Sequence, residues 1–222
     1  DRSDEEQAAI RKKFGNKRAV LEAPQRIRRV CIDILKHYKE HIQPNGFKAM
    51  IVTSSRHVAV LYKEMMDELE APESAVIISG DHNDDKRFWD YTDGQKHKQQ
   101  IDAFKKPLGH GEGQSGLAFL IVKDMLLTGF DAPIAQVMYL DKKIKEHNLL
   151  QTIARVNRTS KNKFKGYIVD YYGLSDYLTE ALEMFSNEDV QGALTNFKEE
   201  LPKLKAAHTR LVAHFKGLDL AD

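Results

Sequence analysis

Leu117-Ala-Phe-Leu-Ile-Val-Lys-Asp-Met-Leu-Leu-Thr-Gly-Phe-Asp-Ala-Pro133 is the stretch of sequence that decides the fold. Its first six residues, 117–122, are all apolar, which is typical of a strand buried on both faces of a parallel sheet. Polar residues then crowd around Gly129 as far as Pro133. In open α/β sheets, ligands bind in the loops that follow the carboxyl ends of strands. The stretch therefore predicts a buried strand that leads into a functional loop.

Strand and helix patterns alternate on both sides of this stretch. Further strands are predicted at residues 47–53, 75–79, 136–140 and 167–170, and helices at 24–43, 55–69, 95–105 and 147–156. This alternation predicts a parallel, doubly wound α/β sheet. After Tyr172 the strand patterns cease, and apolar residues recur at helical spacing. We predict a linker or peripheral segment over 1–23, an α/β domain over 24–172 and the start of a helical domain over 173–222.

Composition limits the possible classes of function. The chain has 34 basic and 33 acidic residues, so any basic surface that binds nucleic acid must be local. The single cysteine, Cys31, excludes a disulfide framework and fits a reducing compartment, so we expect a cytoplasmic protein. No run approaches the roughly 18 apolar residues of a membrane span. The chain begins at Asp1 within a charged segment, and we interpret it as a fragment of a longer protein.

A second segment rich in polar side chains, Gln151-Thr-Ile-Ala-Arg-Val-Asn-Arg158, overlaps the last predicted helix. Gln151, Arg155 and Arg158 are spaced i, i+4, i+7, so they are predicted to share one face of that helix. Two guanidinium groups held this way are suited to binding a phosphate. The plainer alternative is a solvated basic face, as in most exposed arginine pairs.

The loop after residue 122 favours the phosphate interpretation. Asp131 follows Gly129 closely, as carboxylates that approach a sugar hydroxyl do in other nucleotide-binding crevices. Lys123 and Thr128 are placed to reach a nucleotide or nucleic-acid phosphate. Asp124 is expected to cap a local helix instead.

Three segments resemble the conserved motifs of superfamily 2 helicases and translocases. Val122–Asp131 resembles motif V, Gln151–Arg158 motif VI, and Met50-Ile-Val-Thr-Ser-Ser-Arg56 motif IV. The sequence Leu-Leu-Thr-Gly-Phe-Asp-Ala-Pro, followed by Gln-Thr-Ile-Ala-Arg-Val-Asn-Arg, most resembles the corresponding motifs in the motor (R) subunit of type I restriction enzymes. The resemblance covers roughly residues 45–172. It implies a second RecA-like motor domain, which closes over ATP, followed here by an all-helical C-terminal segment.

The resemblance also implies roles for individual residues. Arg158 matches the arginine finger, and Arg155 matches its partner near the γ-phosphate. Gln151 leads the same motif, and Gly129 with Asp131 faces the ribose. The residues implied to contact the DNA backbone are Ser54, Ser55, Arg56, Lys123 and Thr128. One departure from the family pattern is Ala154, where many members have glycine.

Two motifs of a complete ATPase are absent from the sequence. There is no Gly-x-x-x-x-Gly-Lys-Ser/Thr phosphate loop and no Asp-Glu-x-His motif, so the Mg²⁺ ligands are expected on a first motor domain outside this chain. No metal site is expected, because the histidines lack metal-ligand spacing and are assigned to the surface. Those considered are His82, His97, His110 and His147. The chain alone is predicted neither to hydrolyse ATP nor to cut DNA.

Our leading hypothesis is the ATP-dependent DNA-translocating motor of a type I restriction-modification endonuclease. It implies double-stranded DNA, the first RecA-like domain and nuclease domain of the same polypeptide, and the modification and specificity subunits as partners. One alternative is a superfamily 2 repair or remodelling helicase. A second is a non-catalytic nucleic-acid-binding module that uses the 151–158 face, and a third is a helical scaffold dominated by 173–222.

Overall fold

The computed structural model describes residues 20–127, 129–144, 146–158, 163 and 165–173, with the side chains of 146–150 excepted. Five parallel strands form one sheet, in the order β2-β3-β1-β4-β5. The strands are β1 (Lys48–Thr53), β2 (Ser74–Ile77), β3 (Phe119–Val122), β4 (Ala135–Asp141) and β5 (Tyr167–Asp170). The described helices are α1 (Pro24–His37), α2 (Arg56–Glu68), α3 (Lys86–Trp89), α4 (Gly94–Lys105) and α5 (Glu146–Val156).

Strand β3, within the stretch 117–133, lies inside the sheet. It pairs with β1 on one side and with β2 on the other, so every backbone group along it has a strand neighbour. All four of its residues are buried. Both faces of β3 are covered by helices, as the unbroken apolar run predicted, and the parallel α/β architecture is confirmed.

The two faces of the sheet belong to two apolar clusters. One cluster contains Ile51, Ile121 and Tyr139 and is covered by α1 and α2. The other contains Val52, Val122 and Leu140 and is covered by side chains of α4 and α5. Successive strand residues therefore pack on opposite helical layers, and each large apolar side chain buried in this way contributes about 1.5–3 kcal/mol.

The first helix follows the predicted apolar stripe. Its buried residues are Ile27, Val30, Cys31, Ile34 and Leu35. The chain then continues through a π-helical turn, Tyr38–Ile42, and a 3-10 turn, Gln43–Asn45, before it enters β1. Gly46 ends this connection at φ +76°, a left-handed conformation that favours glycine. Burial raises the pKa of the Cys31 thiol to about 12, which agrees with a role in packing.

The short helix α3 lies where the sequence predicted no element. One local expectation was wrong. His97 is buried on α4 and not at the surface, with its Nε2 2.7 Å from the carbonyl oxygen of Tyr91. The predicted helical segment from 174 onward lies outside the described residues, as does the predicted linker before residue 20. No described helix combines the length and the apolar run needed to cross a membrane.

Lys48 is a fully buried lysine at the start of β1. Its Nζ donates to the carbonyl oxygen of Ala103 at 3.2 Å and lies 5.5 Å from the centroid of the Phe104 ring. Burial lowers the pKa of Lys48 from 10.5 to about 8, and nearby Glu73 only partly opposes this effect. The charged form of Lys48 therefore costs folding free energy at neutral pH.

We expect Lys48→Met to raise the free energy of unfolding by about 1 kcal/mol at pH 6, because it removes a desolvated charge and keeps an apolar stem. The gain should shrink at pH 9. There the folded lysine is mostly neutral, whereas the unfolded lysine still binds its proton, so the wild-type chain gains stability as the pH rises above 8. Urea unfolding at both pH values measures this, with Lys98→Met on the exposed side of α4 as the control. A loss of stability at pH 6 would contradict it.

Candidate functional site

The loop after β3 presents alternate residues to solvent. Leu127, Phe130 and Ala132 are buried, whereas Gly129 and Asp131 are exposed. Gly129 has φ +71°, and nothing lies within 4 Å of the position that a Cβ would occupy there. Backbone conformation, not lack of space, is therefore the reason for glycine. The apolar anchors hold the loop against the sheet so that Asp131 projects from it. Thr128 lies outside the described residues.

Helix α5 packs against the sheet as predicted. Ile153 and Val156 are buried in the same cluster as Leu140 of β4, while Gln151 and Ala154 are exposed. The exposure of Ala154 means that its methyl group, where many family members have glycine, projects toward solvent.

Gly166 is a residue that the sequence did not mark. A Cβ at this position would lie 2.1 Å from the carbonyl oxygen of Val156, so only glycine lets the chain pass the end of α5 this closely. A glycine shortly before a strand has no distinctive sequence pattern, and the close approach is visible only in the fold.

The predicted common face of Gln151, Arg155 and Arg158 is wrong for Arg158. Helix α5 ends at Val156, so Arg158 lies two residues beyond it and the helical spacing no longer applies. Both arginines nevertheless contact the loop after β3. Nη1 of Arg155 donates to the carbonyl oxygen of Phe130 at 3.0 Å. Nη1 of Arg158 lies 2.6 Å from Oδ1 of Asp131.

Arg155 and Arg158 differ in their surroundings. Arg155 is half-buried, and its Nε is buried without a hydrogen-bond partner in the described part of the chain. The Arg158 side chain is 44% exposed, and the Asp131 side chain is 57% exposed. An exposed ion pair of this kind is weak in water and readily exchanges partners. Arg158 is therefore available to an incoming anion, whereas Arg155 is tied to the loop backbone.

The turn that begins the same loop contains Lys123 and Asp124, and Lys142, which follows β4, reaches it. Nζ of Lys123 lies 3.0 Å from Asp124, and Nζ of Lys142 donates to the Lys123 carbonyl oxygen at 3.0 Å and also to the Asp124 carboxylate. Burial acts to raise the pKa of Asp124, but hydrogen bonds from Lys142 and Lys123 outweigh it and lower the pKa. The predicted helix cap is wrong, because residues 123–126 form turns and no described helix begins there. Lys142 was not marked by the sequence.

The ends of β1 and β3 leave the sheet side by side. The hydroxyl of Thr53 donates to the carbonyl oxygen of Val122 at 3.1 Å, which joins the two strand ends just before Ser54 and Lys123. The hydroxyl of Ser55 accepts a hydrogen bond from the backbone N–H of Val58 at 3.1 Å, so Ser55 caps α2. Residues from motifs IV and V therefore meet at the carboxyl edge of the sheet.

Arg56 is already engaged by a neighbouring loop. Its two terminal nitrogens each lie 2.7 Å from an oxygen of Asp84, and Nη1 also donates to the Ser79 carbonyl oxygen. The guanidinium lies 5.1 Å from the centroid of the Phe88 ring. The hydrogen bond from Arg56 lowers the pKa of Asp84. Arg56 thus joins the segments after β1 and β2, and a phosphate would have to compete with Asp84 for it.

The structure therefore sorts the predicted residues into two groups. The first joins the loop after β3 to the end of α5: Gly129, Asp131, Arg155 and Arg158. The second lies where β1 and β3 end: Ser54, Ser55, Arg56 and Lys123. Gln151 is exposed on α5 and joins neither group through a contact in the described structure. No three His, Cys, Asp or Glu side chains cluster as metal ligands within the described ranges.

A five-stranded, all-parallel sheet flanked by helices defines the class of fold as RecA-like. Residues 88–173 match the family model for domain 3 of the type I restriction enzyme R subunit.

Individual relatives give the extent of the similarity. The chain is 35% identical over 219 residues to a putative type I restriction enzyme MjaIXP endonuclease subunit of Methanocaldococcus jannaschii, covering 98% of this chain and 21% of that protein. It is 34% identical over 203 residues to the HindI endonuclease subunit of Haemophilus influenzae, covering 82% and 19%. The chain thus spans about a fifth of the length of these relatives.

Among solved structures, domain 2 of the Mss116p DEAD-box helicase bound to an RNA duplex aligns with a TM-score of 0.47 at 14% identity. The alignment covers 87% of this chain and 73% of that chain.

Proposed function

We propose that this chain is the second RecA-like motor domain of the ATP-dependent DNA-translocating subunit of a type I restriction-modification endonuclease. In this proposal the motor domain covers residues 24–172, and the start of a helical domain follows it. The observation that carries the proposal is the meeting of Arg158 with the Gly129–Asp131 loop beside an inner strand. An exposed guanidinium next to an exposed carboxylate, both on anchored segments, suits a nucleotide that binds at the surface and is closed over by a second domain.

The residues fit half of an ATP site. Arg158 supplies a mobile positive charge for a phosphate, and Asp131 supplies hydrogen-bond acceptors for a sugar hydroxyl. Arg155 holds the loop through Phe130, and Gln151 adds a polar group on the exposed side of α5. Bound ATP with Mg²⁺ would supply the hydrolysable phosphoanhydride, and the Mg²⁺ ligands would come from the first motor domain.

A second surface would follow the DNA backbone. Lys123 follows the end of β3, and Ser54, Ser55 and Arg56 follow the end of β1, where the Thr53 hydroxyl joins the two strands. Thr128 belongs to the same proposed track. The two lysines around Asp124 leave this turn with an excess positive charge, which suits a phosphate backbone.

The whole protein is proposed to act on double-stranded DNA in the cytoplasm. Its partners would be the first motor domain and nuclease domain of the same polypeptide, and the modification and specificity subunits. The test uses the full-length subunit assembled with those partners. ATP hydrolysis is measured with and without duplex DNA, and movement is followed by displacement of a triplex-forming strand. Hydrolysis that duplex DNA does not stimulate would overturn the proposal.

The DNA surface has its own prediction. We expect Lys123→Ala to weaken duplex binding uniformly across sequences, because a phosphate contact carries no base information. The slope of log K against log salt should fall in magnitude by about 0.9, the value for one phosphate contact. Binding is measured without ATP over a salt series. Lys98→Ala removes the same charge from α4, outside the proposed track, and should leave the slope unchanged. Equal slopes for Lys123→Ala and wild type would remove Lys123 from the track.

A further inference from the structure

Lys163 is a buried lysine that the proposed function does not use. Only 1% of it is exposed, although it lies between α5 and β5. Its Nζ donates to the carbonyl oxygen of Pro133 at 2.8 Å and to that of Ala135 at 2.7 Å. Burial lowers its pKa to about 8, and no carboxylate pairs with it among the described residues. A buried amine is costly unless its hydrogen bonds are made, so these two bonds hold it in a defined position.

The two carbonyl groups need a donor at this place because of the strand register. Strand β5 begins at Tyr167, which pairs with Val137, so β5 does not reach back to residues 133–135. On the other side of the segment, the backbone N–H of Lys48 donates to the carbonyl oxygen of Ile134 at 3.0 Å. The Lys163 ammonium therefore supplies the hydrogen bonds that a longer β5 would have made.

Lys163 also connects the two segments that form the proposed ATP site. Pro133 follows the Gly129–Asp131 loop directly, and Lys163 lies five residues after Arg158. Three cationic side chains thus contact this loop in chain order. They are Arg155 to Phe130, Arg158 to Asp131, and Lys163 to Pro133 and Ala135. Of these three links, the one through Lys163 is the most deeply buried.

We propose that Lys163 is a positioning residue that sets the register of Asp131 against Arg158 by binding the backbone at Pro133, at the end of the loop, and at Ala135, where β4 begins. The inference rests on the proposed ATP site. Lys163 does not touch the nucleotide, and it acts through the placement of the two segments. A small displacement of a charged group at such a site is enough to slow a reaction strongly, by up to about a hundredfold for 1 Å.

The first test measures local structure. Amide hydrogen exchange is followed across residues 129–135 in the full-length protein for Lys163→Met, which keeps the stem and removes the donors. We expect exchange in this segment to become at least about tenfold faster while the other strands keep their protection. The control is Lys98→Met, the same substitution at an exposed position of α4, which should leave exchange over 129–135 unchanged. Unchanged exchange over 129–135 in Lys163→Met would overturn the inference.

The second test separates kcat from KM. We expect kcat for DNA-stimulated ATP hydrolysis to fall about tenfold or more in Lys163→Met, with KM for ATP within about twofold, because the first motor domain holds most of the nucleotide. Wild-type kcat in a variant whose 129–135 segment exchanges faster would refute the positioning role. If Lys163→Met unfolds, Lys163→Arg decides, since it keeps a buried cation and donors. Lys163→Arg is expected to retain the wild-type kcat and the slow amide exchange of the wild type over residues 129–135. Loss of kcat in Lys163→Arg with wild-type exchange over this segment would refute the inference.

The two proposals fail in different ways. If the wild-type complex shows no DNA-stimulated hydrolysis, the proposed function fails, and the exchange experiment still reports whether Lys163 holds the loop. If the wild-type complex hydrolyses ATP but Lys163→Met exchanges and turns over like wild type, the inference about Lys163 alone is wrong.

Discussion

Arg158→Ala in the full-length protein is expected to abolish DNA-stimulated ATP hydrolysis and translocation. An arginine finger typically contributes about 10³–10⁵ to the rate, because it neutralises charge that develops during phosphoryl transfer. Stability should change by less than about 1 kcal/mol, since Arg158 forms only an exposed ion pair with Asp131. The measurements are steady-state hydrolysis with saturating duplex DNA and a thermal unfolding profile of each variant.

Arg28 provides a closely matched control. Its side chain is 45% exposed and pairs with Glu68, which is 60% exposed, compared with 44% and 57% for Arg158 and Asp131. Arg28→Ala therefore removes the same side chain from the same kind of surface ion pair, at a place outside the proposed site. We expect wild-type hydrolysis from Arg28→Ala. Rapid hydrolysis by Arg158→Ala, or an equal loss in both variants, would count against the assignment of Arg158.

The second large effect is expected in folding. Asp141 ends β4 and is 1% exposed. Its carboxylate accepts hydrogen bonds from both terminal nitrogens of Arg26, at 2.8 and 2.6 Å, and from the Tyr62 hydroxyl at 2.7 Å. Arg26 also donates to the carbonyl oxygen of Tyr171 at 3.1 Å. The Asp141 carboxylate thus joins α1, α2 and β4, and Arg26 extends this network to the residue after β5.

Asp141→Ala is expected to lower the free energy of unfolding by about 3–5 kcal/mol, because a largely buried guanidinium and a buried phenol lose their acceptor. Urea unfolding measures the change, provided that the m value stays constant. Asp67→Ala is the control, since the Asp67 side chain is 62% exposed and pairs with Lys63 on the surface of α2. The control should lose less than about 1 kcal/mol. A similarly small loss for Asp141→Ala would show that the buried network contributes little.

Much of the fold could be predicted because the signals are local. The unbroken apolar run of β3 and the stripe of α1 each require burial wherever the chain places them, and β5 was predicted at the residues where it occurs. The loop of Gly129 and Asp131 could be anticipated for the same reason, since a buried strand that turns polar must end at the sheet edge.

The end of a helix is less certain from sequence than its middle. Helical spacing assigned Arg158 to a face of α5, but the helix ends at Val156 and Arg158 meets Asp131 from the following segment. Asp124 looked like a cap, yet its partners are Lys123 and Lys142. In both cases the sequence drew attention to the side chain, but packing set its partner.

The sequence by itself determined the order of strands and helices, the buried faces and the motif residues, because each follows from residues close together in the chain. The tertiary structure alone decided which charges meet. Asp141 lies 115 positions from Arg26, and Lys163 lies 30 positions from Pro133. A buried charge is stable only beside its partner, and the sheet register decides which partners come within hydrogen-bonding distance.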